Sequence, residues 1–87
     1  MASYKVLIKT SAGKELAAVD SQSVRQKLVG HIQGLAINPR PHGAEKLAGY
    51  DDRYRVRPGN YRIVYLIDDD ASVVTIFKVG QRKDIYR

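Results

Sequence analysis

Arginine is the residue that recurs at a chemically useful spacing. Arg53, Arg55 and Arg57 alternate with Tyr54 and Val56, and after Pro58-Gly59 another apolar run carries Arg62. A period of two puts residues 53, 55 and 57 on one face of an extended strand. Arg82 and Tyr86 follow the last β-rich stretch, Val73–Val79, at the end of the chain. A guanidinium offers a planar fork of N–H donors that grips two phosphate oxygens and does not deprotonate near neutral pH. Several of them on one surface suit an RNA backbone and the charge that grows on a reacting phosphate.

The positioning elements are legible in order. Tyr4–Lys9 reads as a first strand. Ser11 suits the cap of a short helix with Ala12, Leu16 and Val19 on one face; Asp20 or Ser21 suits the cap of a longer one. In the second helix Val24, Leu28, Ile32 and Leu35 form one stripe, and Asn38-Pro39 ends it near Gly34. A Pro- and Gly-containing loop over residues 38–52 follows, pinned by Leu47. Three strands come next, at residues 53–57, 61–67 and 73–79. The middle one is apolar on both faces except at Arg62, which predicts a central place in the sheet.

Register decides whether the arginines meet. A hairpin loop with an even number of residues keeps Arg62 on the face of Arg55 and away from the helices; an odd one sends it under them, where an unpaired charge is costly. The even register expected here sets Arg55 opposite Arg62, Val56 opposite Tyr61 and Tyr54 opposite Ile63. Tyr54, Tyr61 and Tyr65 are expected in the core.

Composition bounds the function. Eighty-seven residues make a single domain over residues 1–87 with a small core. The net charge of +6 is uneven, +2 over residues 1–52 and +4 over residues 53–87, which favours polyanions. With no cysteine there is no disulfide or thiolate metal site. No apolar run is long enough to cross a bilayer and the first residues do not read as a signal peptide, so a cytoplasmic location is expected and no membrane partner. Asp68-Asp69-Asp70 reads as a solvated hairpin, and His31 and His42 lack partners in sequence. No metal site and no cofactor is expected.

Taken together, the pieces resemble the RelE toxins of the RelE/ParE superfamily, the small toxins of bacterial toxin–antitoxin pairs. They are the strand, the helical hairpin and Asn38-Pro39, then Lys46-Leu47-x-Gly49 and Tyr54-Arg55-Val56-Arg57. Gly59-x-Tyr61-Arg62-Ile63-Val64-Tyr65, Val79-Gly80-x-Arg82 and Tyr86 complete the series. The resemblance implies an α+β fold, β-α-α-β-β-β, with a curved antiparallel sheet packed against an N-terminal helical hairpin. It also implies a metal-independent endoribonuclease that cuts mRNA in the ribosomal A site by attack of a 2′-hydroxyl on the adjacent phosphate, and so inhibits translation. Arg55, Arg57, Arg62, Arg82 and Tyr86 match the family's active site, with Arg53, Lys46, Lys78 and Lys83 as flanking RNA-binding cations. The implied partners are the ribosome, mRNA and a RelB-like antitoxin, with operator DNA reached only through the antitoxin complex.

Two departures from the pattern matter. Arg55 and Arg57 stand where well-known relatives hold lysine, and Gln81 where many hold histidine. An arginine is a poor general base, so no acid–base pair is evident in the sequence. The sequence ends one residue past Tyr86, so the C-terminal helix of longer relatives is not expected. Two other readings stay open: a ParE-like DNA gyrase poison, and a toxin-fold protein acting only through binding.

Overall fold

The computed structural model of the chain describes residues 3–81. Its elements are β1 (Lys5–Ile8), α1 (Thr10–Ala17), α2 (Gln22–Gly34), β2 (Glu45–Lys46), β3 (Arg53–Val56), β4 (Tyr61–Asp68) and β5 (Val73–Gln81). They form one five-stranded sheet in the order β1-β5-β4-β3-β2. β4 is flanked on both sides, as its apolar faces require. The α+β arrangement expected from the sequence holds, with two refinements: a two-residue edge strand, β2, and a β1 that runs parallel to β5.

The parallel pair follows from the path of the helices. Tyr4 N donates to Ala36 O at 2.7 Å, so the chain leaves α2 at the end of the sheet where β1 begins. β3 therefore starts in the direction of β1, and two hairpins later β5 runs that way again.

α2 begins as its sequence suggests, with Ser21 Oγ accepting from Val24 N at 3.3 Å, and it ends at Gly34. α1 differs. It starts at Thr10 rather than after Ser11, and no side chain caps its first turn. Ala12, Leu28, Ile32 and Leu35 pack on Val56, Ile63, Tyr65, Ile67, Val74, Ile76 and Val79, all buried. Each fully buried aliphatic side chain contributes about 1.5–3 kcal/mol. Tyr54 and Tyr61 pack against this cluster, so the helix-facing side of the sheet is apolar as expected.

The first hairpin corrects the register by two residues. Val56 pairs with Ile63, Arg55 with Val64 and Tyr54 with Tyr65. Tyr61 N donates to Pro58 O at 3.1 Å and Gly59 has φ of 60°, so Gly59-Asn60 is a two-residue loop. Tight loops with glycine first and φ positive match the natural twist of paired strands, which the four-residue loop implied by the expected pairing does not. Parity is unchanged, so every side chain keeps its expected face. Arg57, not Arg55, comes opposite Arg62 when this register is continued to the turn.

Buried tyrosine ties the long loop to the sheet. The Tyr65 hydroxyl donates to Pro39 O at 2.8 Å, and burial, followed by its neighbour Tyr54, pushes its pKa up to about 12. At the same end Arg40 grips both oxygens of Asp69, at 2.8 and 3.2 Å, and Tyr4 donates to Asp69 at 2.6 Å. Because the fold holds Tyr65 protonated, its contribution is complete below the unfolded value of about 10. It is lost as pH rises toward the folded value. Tyr65→Phe should be less stable near neutral pH by about 1–2 kcal/mol, since the Pro39 carbonyl loses its donor. The gap in Tm between wild type and variant should narrow from pH 10 upward, as thermal melts across pH would show.

Candidate functional site

The face of the sheet turned away from the helices carries the arginines. Across it, Glu45 of β2 pairs with Arg55 of β3, Arg55 with Val64 of β4, and Val64 with Lys78 of β5. One row further, Arg62 faces Gly80 on β5. Strand alternation therefore brings Arg53, Arg55, Arg57, Arg62 and Lys78 to one surface.

Like charges directly opposite one another on a sheet repel, and a carboxylate moderates this here. Glu45 Oε1 forms an ion pair with Arg57 Nη2 and lies 3.6 Å from Arg55 Nε. Arg57 is 43% exposed and Glu45 42%, so the pair contributes at most about 1 kcal/mol to stability. Its interest is chemical, because a carboxylate can take a proton and a guanidinium cannot give one up.

Glu45 was not singled out from the sequence. It lies in a strand of two residues, too short for any periodic signal. The one available cue was its place at the end of the Pro/Gly loop, directly before Lys46-Leu47.

The cations are not equivalent. Arg62 is on the expected face, away from the helices, but it is only 2% exposed. Its place on the central strand, between the β3 and β5 layers of side chains, accounts for this. Arg55 is half-buried, and Arg57, beyond the end of β3, is the accessible one.

Lys78 Nζ lies 3.3 Å from Glu15 Oε2, whose other oxygen accepts from Val79 N at 3.0 Å. Glu15 so caps β5 where β1 has ended, another role without a sequence signal. Lys46 pairs with Tyr54 and therefore points to the opposite face from Arg55, so the structure does not bring it to the site. Arg82, Lys83 and Tyr86 lie outside the described residues. Asp68 Oδ1 accepts from Ala71 N at 3.0 Å within the β4–β5 turn. Among the described residues no three His, Cys, Asp or Glu side chains are grouped to hold a metal ion.

Comparison with known proteins agrees with the fold. A family profile described as the ParE toxin of type II toxin-antitoxin system, parDE, matches residues 6–86. Toxin RelG of Mycobacterium tuberculosis is 47% identical over 84 residues, 97% of each chain. The mRNA interferase toxin RelE of Escherichia coli K12 is 31% identical over 72 residues, 80% of this chain and 70% of that protein.

Among solved structures, the toxin in the archaeal RelE–RelB complex of Pyrococcus horikoshii superposes with a TM-score of 0.82 at 27% identity. It covers 92% of this chain and 96% of that one. The RelBE2 toxin–antitoxin complex of M. tuberculosis gives 0.79 at 26%, covering 92% and 99%. The profile carries the name of the ParE branch, whereas the near-full-length 47% identity is to a RelE-type toxin, and identity over the whole chain is the finer guide. The chain belongs to the RelE/ParE family of type II toxin–antitoxin systems and is a toxin of the RelE type.

Proposed function

We propose that this toxin is a ribosome-dependent endoribonuclease that cuts mRNA in the A site and so stops translation. The observation that carries the reading is the pairing of Arg55 and Arg57 with the Glu45 carboxylate on the face of the sheet away from the helices, with Arg62 in the next row of that face. The name of the E. coli relative, an mRNA interferase, supports it. The 2′-oxygen attacks the adjacent phosphorus and a new P–O bond forms. Its proton passes to the Glu45 carboxylate. The bond from phosphorus to the 5′-oxygen breaks, and the departing oxygen takes a proton from water. The products are a 2′,3′-cyclic phosphate and a 5′-hydroxyl.

The arginines meet the charge on the phosphorane, in the role a metal ion plays elsewhere. Fixed donors aimed at developing charge contribute about 10²–10³ each in rate. Arg82 and Tyr86 complete the site in this reading.

The partner that silences the toxin is a RelB-like antitoxin, since the solved relatives include RelE–RelB complexes. Contact with operator DNA runs through that complex. No helix among the described residues is long and apolar enough to cross a membrane.

The ParE name of the matching profile favours a second reading, a gyrase poison. Induced expression separates the two. The nuclease reading expects arrested protein synthesis and mRNA cut inside open reading frames. An SOS response with trapped gyrase–DNA complexes and intact mRNA would replace it with the second.

A further inference from the structure

Beside the arginine site the same face carries a ladder of rings and cations that the cleavage chemistry does not use. Arg53 Cζ lies 4.2 Å from the Tyr50 ring centroid and 5.0 Å from that of Phe77, and Lys9 Nζ lies 4.1 Å from Phe77. The ladder runs from the loop before β3, across β4, to β5 and the end of β1.

Phe77 reaches this face through an irregularity in the sheet. Val64 pairs with Lys78 but Tyr65 with Ile76, so Phe77 is the extra residue of a β-bulge. Bulges re-aim side chains. This one places an aromatic ring beside Arg53 instead of in the core, and Phe77 is absent from the core cluster.

The charges of the ladder are uncommitted in a way the site's are not. Arg57 and Arg55 share Glu45, and Lys78 has Glu15. The Arg53 guanidinium makes no ion pair among the described residues, and its Nε is buried without a hydrogen-bond partner. Tyr50 remains 47% exposed. A purely structural cation–π contact at such a site calls for neither an open ring nor an unneutralised guanidinium. A half-open ring with an unneutralised guanidinium against it is what an unpaired nucleotide needs: a π-face for the base and a cation for its phosphate. Arg53 and Arg55 are same-face neighbours about 7 Å apart along β3, so the ladder adjoins the cleavage site.

We propose that Tyr50, Arg53 and Phe77 form a second RNA subsite, a stacking platform for an unpaired base flanking the scissile phosphate, with Lys9 toward the backbone beyond it. The choice of RNA as ligand rests on the nuclease reading; the binding test does not.

The test is fluorescence anisotropy with the full-length toxin and two labelled probes of equal length. One is a 2′-O-methyl oligoadenylate and the other an abasic ribose-phosphate strand. Wild type should bind the oligoadenylate more tightly, and Tyr50→Ala should weaken that binding about 5- to 150-fold while leaving the abasic strand unchanged. Phe77→Leu should act in the same sense, and Arg53→Gln should weaken both probes. Equal wild-type affinity for the two probes overturns the proposal. So does an unchanged oligoadenylate affinity in Tyr50→Ala, whose exposed ring can be removed without disturbing the core. If base-dependent binding is found but ribosome-bound mRNA stays intact, the nuclease reading fails and the platform stands. If mRNA is cut without base-dependent binding, the platform alone fails.

Discussion

Glu45→Gln should lower cleavage of ribosome-bound mRNA by about 10²- to 10⁴-fold, the range expected for loss of a positioned general base. The substitution keeps the shape of the side chain and its place opposite Arg55. It removes the proton acceptor and the negative charge shared by Arg55 and Arg57. Binding should move the other way. With Glu45 neutral, Arg57 loses its close counter-charge and can turn to phosphate, so affinity for single-stranded RNA rises. The salt slope steepens by about 0.7 for each additional phosphate contact. Faster release or lost folding cannot produce slower cutting together with tighter binding. Single-turnover cleavage and salt-dependent binding titrations on the same preparation measure both.

The second large effect separates two arginines that look alike in the sequence. Arg57→Ala should cost about 10²-fold in cleavage at nearly unchanged Tm, because Arg57 is exposed and its pair with Glu45 contributes little stability. Arg62→Ala should also lose cleavage, but with a fall in Tm. Arg62 is 2% exposed on the central strand, and truncating a long buried side chain there leaves a void. A loss of about 2–4 kcal/mol corresponds to roughly 8–32 °C in a domain of this size. Loss of toxicity in Arg62→Ala is therefore not specific to chemistry, and Arg57→Ala is the cleaner probe. Melting curves beside cleavage rates check the contrast.

Much of this was legible because it rests on patterns with strong physical causes. The stripe of α2, the stop before Asn38-Pro39 and the apolar double face of β4 each follow from burial at a fixed period. The face of Arg53, Arg55 and Arg62 followed from parity, since the wrong parity buries charge beneath the helices. The finer pairing did not follow, because a two-residue and a four-residue loop share that parity. The bond from Tyr61 N to Pro58 O and the positive φ of Gly59 distinguish them.

β2 and Glu45 were hidden because a two-residue strand carries no periodicity. The low exposure of Arg62 was hidden because local sequence does not report what packs over a central strand. The Phe77 bulge was hidden because an extra residue in β5 leaves the run Val73–Val79 apolar-rich whichever way one ring points. Arg82, Lys83 and Tyr86, read from the sequence as part of the site, lie outside the described residues, and their roles rest on chemistry and family likeness.

The most direct test of the central claim is the chemistry of the cut ends. Purified toxin is added to ribosomes programmed with a defined mRNA, and the new termini are characterised by enzymatic treatment and mass spectrometry. Attack by the 2′-hydroxyl predicts a cut in the A-site codon, a 2′,3′-cyclic phosphate upstream and a 5′-hydroxyl downstream. A 3′-hydroxyl facing a 5′-phosphate, or mRNA that stays whole while translation stops, would contradict it.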